Sequence, residues 1–122
     1  LVIAGGGHAH MLALANLHKF IKKGHKVTVI GPSPYHYYSG MGPGMLGKIY
    51  NPEEIRFATK HVVEKQGGVF RQGGVNRIDP ESKTVYLESG QTVSYDVLSC
   101  NVGSYVPMTI VSGTDRDIFM KA

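Results

Sequence analysis

The sequence predicts an α/β fold, with a parallel sheet and a three-stranded antiparallel meander inserted before the last parallel strand. Three observations support this prediction. The apolar run 1–4 ends in three glycines and leads directly into a helical pattern, as a buried strand, a tight turn and a helix would. Strand and helix patterns then alternate as far as residue 71. Short period-two strands follow, until a mostly apolar run, 95–102, returns to the sheet.

The first half of the chain alternates between strands and helices. A helix is predicted over residues 8–23, where apolar side chains recur at helical spacing until Gly24 ends the pattern. A second strand is predicted at 27–30 and a further helix at 58–66. Residues 69–71 then fit a third parallel strand.

The connection 31–51 is rich in Gly, Pro and Tyr, with one helical turn expected near Met45. Loops of this length in a compact domain are usually functional or disordered. Residues 52–57 could start a helix or, at their end, run extended. The connection contains three clustered tyrosines, Tyr35, Tyr37 and Tyr38. They could form an aromatic wall for a ring-shaped ligand or simply pack within the domain.

The second half predicts short antiparallel strands. Residues 75–78 and 84–87 alternate in a period of two around a turn at 79–82. A second turn precedes a short strand at 92–93. A simple nucleotide-binding βαβαβ unit lacks such a meander, so it is the distinctive feature of the predicted topology.

The composition limits the class of protein. A chain of 122 residues with 42% hydrophobic content can bury the core of one modest domain. The net charge is +4, and the charges are scattered, which argues against a nucleic-acid partner. The single cysteine, Cys100, excludes an internal disulfide and suits a reducing, cytoplasmic compartment. No apolar run approaches the roughly 20 residues that cross a bilayer.

The three glycines after the first strand predict a dinucleotide-binding turn. Gly5 can take a turn conformation that a Cβ would obstruct, and Gly7 lets a diphosphate approach the main chain closely. The N–H groups at the start of the following helix then meet the negative charge, assisted by the helix dipole. The pattern departs from G-x-G-x-x-G at His10, which stands where the third glycine would allow close packing of helix and strand.

The second strand lacks the acidic residue that a NAD site commonly uses to bind the ribose. The strand ends in Gly31, Pro32 and Ser33, so no carboxylate is available there. Ser33 could bond a ribose hydroxyl or serve as an ordinary turn residue. The glycine turn alone therefore does not determine which nucleotide binds.

Cys100 and the histidines are alternative chemical groups. Cys100 lies in an apolar strand and no Cys-x-x-Cys motif is present, so a buried structural cysteine is expected rather than a redox thiol. His8 and His10 point apart on a helix and have no clear carboxylate partner, so no metal site is expected. We expect His8 to lie near phosphate and His10 to pack against the strand.

Three segments together resemble the FAD-dependent pyridine nucleotide-disulfide oxidoreductase superfamily, and within it the NADH dehydrogenase and sulfide:quinone oxidoreductase branch. They are Gly5-Gly-Gly-His-Ala-His10, Tyr38-Ser-Gly-Met-x-Pro-Gly44, and Tyr95-Asp-Val-Leu-Ser with the later Gly103, Ser104 and Pro107. The resemblance covers residues 1 to about 107. The last segment is similar to the superfamily's Ala-Thr-Gly-x-x-Pro element, with Asn101 and Val102 in place of Ala-Thr.

The resemblance implies a Rossmann-like FAD-binding domain. It places the FAD diphosphate at the glycine turn, the adenosine ribose after the second strand, and the adenine at Val75. The loop 38–43 would approach the flavin ring, and the last strand would run alongside the cofactor. No residue of this chain is expected to be catalytic. The expected cofactor-binding residues are Gly5, Gly7, His8, Ala9, Gly31, Pro32, Ser33, Ser39, Gly40, Pro43, Val75, Asn101, Val102, Gly103 and Ser104.

The resemblance also implies a longer enzyme. Residues 1–109 would be the N-terminal part of a discontinuous FAD-binding domain, and 110–122 a linker toward an NAD(P)H-binding domain. The complete enzyme would transfer electrons from NAD(P)H or sulfide to a quinone-like acceptor, in the cytoplasm or peripheral to the inner face of the membrane. The isolated segment would be inactive, would retain little flavin, and could self-associate through uncovered apolar surface.

A second interpretation comes from another functional class. The chain could be a non-catalytic nucleotide-binding accessory or regulatory module, for example one fused to selenophosphate synthetase. Flavin absorbance that NADH bleaches in the full-length protein would favour the enzyme, and nucleotide binding without redox change would favour the module.

Overall fold

The described part of the chain, residues 1–103 of a computed structural model, contains four short α-helices and nine strands. The helices are α1 (His8–Ala15), α2 (Leu17–Lys22), α3 (Gly42–Leu46) and α4 (Thr59–Glu64). The strands are β1 (Val2–Ala4), β2 (Thr28–Gly31), β3 (His36–Tyr37), β4 (Arg56–Phe57), β5 (Val69–Gln72), β6 (Val75–Asp79), β7 (Thr84–Leu87), β8 (Thr92–Ser94) and β9 (Leu98–Cys100).

Four strands form a parallel sheet in the order β5-β2-β1-β9. Strand β1 lies inside the sheet, where Ile3 is paired with Val29 of β2 on one side and Ser99 of β9 on the other. Strand β5 pairs with the outer side of β2. The chain therefore runs outward from β1 to β5 and then crosses to the opposite side of β1. The loops after β1 and β9 meet at this topological switch point, where ligands of such sheets usually bind.

The two faces of the sheet are covered by different elements, as the alternation of side chains in a strand requires. One face packs against helices α1, α2 and α4, and its core includes Ile3, Val29, Leu14, Leu17 and Val63. The other face packs against the meander in a smaller core, where each fully buried Ile or Leu contributes about 2 kcal/mol. That second core contains Val2, Ile30, Val85 and Leu87.

The meander is a separate antiparallel sheet in the order β6-β7-β8, which confirms the predicted insertion before the last parallel strand. The turn between β6 and β7 is held by Asp79, whose Oδ1 accepts hydrogen bonds from the N–H groups of Ser82 (3.2 Å) and Glu81 (3.0 Å). These bonds, with Arg77 nearby, lower the pKa of Asp79 below its usual value. The turn predicted from the sequence at 79–82 is thus built on a local Asx interaction.

The predicted single helix over 8–23 is wrong, because the structure divides it at Asn16. The Asn16 side chain Nδ2 donates to the Leu12 carbonyl at 2.9 Å, and its backbone has φ −120° and ψ 22°. An asparagine side chain that bonds the preceding turn competes with regular helical hydrogen bonding. The last strand is also shorter than the predicted run 95–102, since only β9 pairs with β1.

A second compact unit is built from residues 37–57. Strand β3 leads into it and pairs with β4, so the end of the 52–57 segment runs extended rather than helical. Helix α3 contains the helical turn predicted near Met45. The Tyr38 ring packs edge-on against Phe57, with centroids 6.4 Å apart, so at least one of the clustered tyrosines packs within its own unit. Among the described helices, none is long and apolar enough to cross a membrane.

Candidate functional site

The carboxyl ends of the four parallel strands meet at one edge of the sheet, and most of the predicted binding residues lie there. The turn 5–7 follows β1, and Pro32 and Ser33 follow β2. The pair 73–74 follows β5, and 101–103 follows β9. Because all four strands are parallel, these segments share the edge at which open α/β sheets bind ligands.

The turn after β1 takes the backbone conformation that the sequence predicts. Gly5 has φ +89°, and its N–H donates to the Ile30 carbonyl at 2.8 Å. A Cβ at this position would meet the main chain beyond β9, including Val102 Cα at 2.6 Å. A glycine is therefore required here for two reasons, the positive φ and the close approach of the segment after β9.

His10 connects this turn to β9 from a buried position, 5% exposed. Its Nδ1 lies 2.7 Å from the Gly5 carbonyl, and its Nε2 lies 2.9 Å from the Ser99 hydroxyl. Because a carbonyl only accepts hydrogen bonds, Nδ1 carries a proton. In the neutral tautomer that carries this proton, Nε2 accepts from the Ser99 hydroxyl. The residue that breaks the glycine fingerprint thus packs against a strand, as expected, and also fixes the turn to that strand.

The start of α1 has the character of an anion site. Gly7 is its N-cap residue, and within the described residues no side chain caps the helix. His8 and Ala9 form its first turn and are exposed. A helix N-terminus carries about half a unit of positive charge. Asn101 restricts the access of an anion to Gly7. Its carbonyl accepts the Gly7 N–H at 3.2 Å, and its side chain lies against Gly7.

A cavity of about 260 Å³ opens between the ends of β1, β2, β5 and β9. This volume is comparable to that of one nucleoside. Its wall combines main chain from the glycine-containing loops with apolar residues that include Val75 and Ile78. Five of the predicted cofactor-binding residues line it together, namely Gly5, Gly31, Pro32, Val75 and Val102.

Cys100 lies in the wall of the same cavity and is exposed, so the prediction of a buried cysteine is wrong. The physical reason is the position of its strand in the sheet. In the described sheet β9 lies at the border, with only β1 beside it, so an apolar sequence there does not ensure burial on both faces. No second cysteine exists in the chain with which it could form a disulfide.

His36 lies beside the glycine turn, and sequence analysis did not place it in the site. A Cβ on Gly6 would lie 3.8 Å from His36 Nδ1, and the His36 ring meets His8 edge-on with centroids 6.4 Å apart. Its Nε2 is buried and has no hydrogen-bond partner among the described residues. Burial, and secondarily the charge of His8, lower the pKa of His36 below 6.5. The sequence signal for this residue is its position shortly after β2, in the segment that also contains Ser33.

A second, smaller cavity of about 60 Å³ adjoins Gly6 and His36 and includes Ser33 and Thr59 in its wall. Ser33 Oγ accepts the N–H of Tyr35 at 3.1 Å, as an ordinary turn serine does. That bond leaves the hydroxyl proton available to a ligand, so both interpretations of Ser33 remain compatible with its geometry.

The remaining predicted residues belong to other parts of the chain. Ser39, Gly40 and Pro43 lie in the unit 37–57. Ser104 and the predicted linker 110–122 lie outside the described residues. Across residues 1–103, no group of three or more His, Cys, Asp or Glu side chains is placed to hold a metal ion.

The chain is similar to known oxidoreductases, although no protein-family model matches it. It is 29% identical over 119 residues to the mitochondrial sulfide:quinone oxidoreductase of Dictyostelium discoideum, covering 97% of this chain and 26% of that protein. The structure of the sulfide:quinone oxidoreductase from Aquifex aeolicus matches with a TM-score of 0.69 at 27% identity, over 80% of this chain and 22% of that one. The water-forming NADH oxidase from Lactobacillus brevis, bound to NADH, matches with a TM-score of 0.70 at 26% identity, over 94% of this chain and 28% of that one. The chain thus spans about a quarter of the length of these relatives.

Proposed function

We propose that this chain, a member of the FAD-dependent pyridine nucleotide-disulfide oxidoreductase superfamily, holds the ADP half of FAD in a flavin-dependent oxidoreductase. The observation that carries the proposal is the glycine turn after β1. It lies at the switch point of the parallel sheet, faces a helix start without a side-chain cap, and adjoins a nucleoside-sized cavity.

The diphosphate would lie against the main chain of Gly5, Gly7, His8 and Ala9. The dipole of α1 favours an anion there, an effect worth about 0.3–1 kcal/mol at an exposed helix end and up to about 2 kcal/mol when partly buried. The N–H groups of Gly5 and Gly7 already donate to the Ile30 and Asn101 carbonyls, so these two glycines would allow close approach rather than supply hydrogen bonds. The net charge of +4 also favours a negatively charged ligand. The Asn101 side chain must turn aside for the diphosphate to reach Gly7.

The adenosine would occupy the cavity between the strand ends. Gly31, Pro32 and Ser33 are available to the ribose, and the main chain of Val75 to the adenine edge. The absence of a carboxylate after β2 fits a ribose bound by serine and main-chain groups rather than by an acid. Asn101, Val102, Gly103 and Ser104 would continue along the cofactor. Ile78 supplies apolar surface for the base, as ligand pockets commonly do.

The bound flavin would supply the electron transfer itself, while this chain binds and orients the cofactor. Ser39, Gly40 and Pro43 would approach the flavin ring. We assign NAD(P)H or sulfide as the electron donor and a quinone-like compound as the acceptor, on the similarity to two sulfide:quinone oxidoreductases and to an NADH oxidase bound to NADH. The complete enzyme would act in the cytoplasm or at the inner face of the membrane.

The test uses the full-length natural protein, purified without added flavin. We expect a flavin absorption spectrum that anaerobic NADH, NADPH or sulfide bleaches and that a short-chain quinone restores. The donor that bleaches fastest identifies the physiological class, and heat-denatured protein is the control for free flavin. Bound nucleotide that none of the donors reduces would contradict the enzyme and support the accessory module. A protein that binds neither FAD nor ADP would contradict both.

A further inference from the structure

The side chain of Asn101 covers the residue that the diphosphate has to approach. A Cβ on Gly7 would collide with the whole Asn101 amide, with Cγ at 2.6 Å and Nδ2 at 2.8 Å. The direction in which that Cβ would point is the direction that a glycine in this position leaves open for a phosphate group. In this chain the opening is filled from the other side of the switch point, by the residue directly after β9.

The backbone of Asn101 is fixed, so only its side chain can give way. The Asn101 N–H donates to the Ala4 carbonyl at 2.8 Å, and the Asn101 carbonyl accepts the Gly7 N–H at 3.2 Å. These two bonds continue the pairing of β9 with β1 beyond the last strand residue. The side chain is half-buried and can change between staggered rotamers. Access to Gly7 therefore depends on one side-chain rotation.

The amide lies beside the start of α1 without capping it. An asparagine at an N-cap position ordinarily gains about 1 kcal/mol by accepting a helix-start N–H. Here the amide occupies the surface of Gly7 instead, so it competes with an incoming phosphate for space rather than for hydrogen bonds. An uncharged amide also leaves the positive potential of the helix start unopposed.

We infer that Asn101 sets the affinity of the dinucleotide site, by covering Gly7 with a side chain that a diphosphate must displace. This inference rests on the proposed function. Its effect is confined to ligands that carry a diphosphate, because the cover acts at Gly7 and not at the adenosine cavity. A ligand without phosphate does not need the side chain to move.

The test compares Asn101→Ala and Asn101→Asp in the full-length natural protein, freed of bound flavin, by calorimetric titration with ADP and with adenosine. Asn101→Ala removes the cover and should tighten ADP binding by about threefold to tenfold, since one side chain no longer has to be displaced. Asn101→Asp keeps the shape and adds a negative charge within contact distance of Gly7, so it should weaken ADP binding by about tenfold or more. Adenosine affinity should change by less than about twofold in both variants. Asn51→Ala, an exposed asparagine in the unit 37–57, is the matched control and should match the unaltered chain.

The outcomes separate the inference from the function on which it rests. The inference is supported if ADP affinity rises in Asn101→Ala and falls in Asn101→Asp while adenosine affinity stays nearly constant. Equal losses in both variants, or parallel changes for ADP and adenosine, would show that Asn101 only maintains the loop and would overturn the inference while leaving the nucleotide site intact. Failure of the unaltered full-length protein and all its variants to bind ADP or FAD would instead overturn the proposed function.

Discussion

Replacing His10 with alanine should destabilise the chain and loosen the glycine turn at the same time. His10 is the only side chain in the described structure that hydrogen-bonds the Gly5 carbonyl, at 2.7 Å, and it also accepts from Ser99 at 2.9 Å. The position is 5% exposed, and Gly5 is itself buried. In His10→Ala the Gly5 carbonyl would be left without this donor in a site that water does not reach easily.

The size of the effect follows from these contacts. Each neutral hydrogen bond contributes about 1 kcal/mol, and a buried carbonyl without its partner costs about 1–3 kcal/mol more. We therefore expect His10→Ala to lower the free energy of unfolding by about 2–4 kcal/mol. Ser99→Ala removes only the weaker contact and should cost about 1 kcal/mol. The double variant should cost less than the sum, because both changes remove the same bond.

Urea denaturation followed by far-ultraviolet circular dichroism measures these values, since the chain has no tryptophan to report by fluorescence. His25→Ala, in an exposed position after α2, is the matched histidine control and should change stability by less than about 0.5 kcal/mol. His10→Ala within 0.5 kcal/mol of the His25 control, or full additivity with Ser99→Ala, would refute the argument that His10 joins the turn to β9.

Two further predictions concern the same edge of the sheet. Gly5→Ala and Gly24→Ala both replace a glycine near φ +88° (+89° and +87°), but only Gly5 has main-chain atoms where the Cβ would lie. Gly24→Ala should cost about 1–2 kcal/mol from backbone strain alone. Gly5→Ala should cost several kcal/mol, and equal thermal midpoints for the two variants would disprove the close approach at Gly5. For His36, the pKa lies below 6.5 because of burial and His8, so the folded state binds fewer protons than the unfolded state. Stability should therefore fall as the pH decreases from about 7 through the ordinary histidine range, and level off below the lowered pKa. His36→Gln should flatten this dependence in thermal melts between about pH 7.5 and 5. An unchanged pH profile would show that the lowered pKa of the partly buried His36 does not contribute to stability.

The topology was predictable because local signals and the global fold agree. The apolar run before three glycines, the helix stop at Gly24 and the Asp79 turn each act over a few residues, and each corresponds to an element of the structure. The alternation of Val85 and Leu87 with polar neighbours likewise places β7 against the sheet. A sequence specifies one fold when its local preferences agree with its tertiary packing.

The sequence did not reveal features that depend on tertiary contacts. The break in the first helix arises from one side-chain bond of Asn16 to the preceding turn, which apolar periodicity does not detect. The exposure of Cys100 depends on the position of β9 in the sheet, and not on the apolar character of its own segment. The contacts of His36 and Asn101 with the glycine turn form between segments that are distant in the sequence, so local patterns do not reveal them.

His10 shows both sides of this limit. The sequence showed that His10 departs from the glycine fingerprint, and it led us to expect that His10 packs against the strand. The sequence did not predict the hydrogen bonds of His10 to Gly5 and Ser99, because Ser99 lies 89 positions away in the chain. A histidine in place of the third glycine therefore changes how helix and strand are joined, without removing the turn itself.

The most direct test of the central claim is a crystal structure of the full-length protein with FAD. We expect the FAD diphosphate within hydrogen-bonding distance of the main-chain N–H groups at the start of α1, with the Asn101 side chain turned away from Gly7. FAD bound elsewhere, with the Asn101 side chain still against Gly7, would disprove a diphosphate site at the glycine turn.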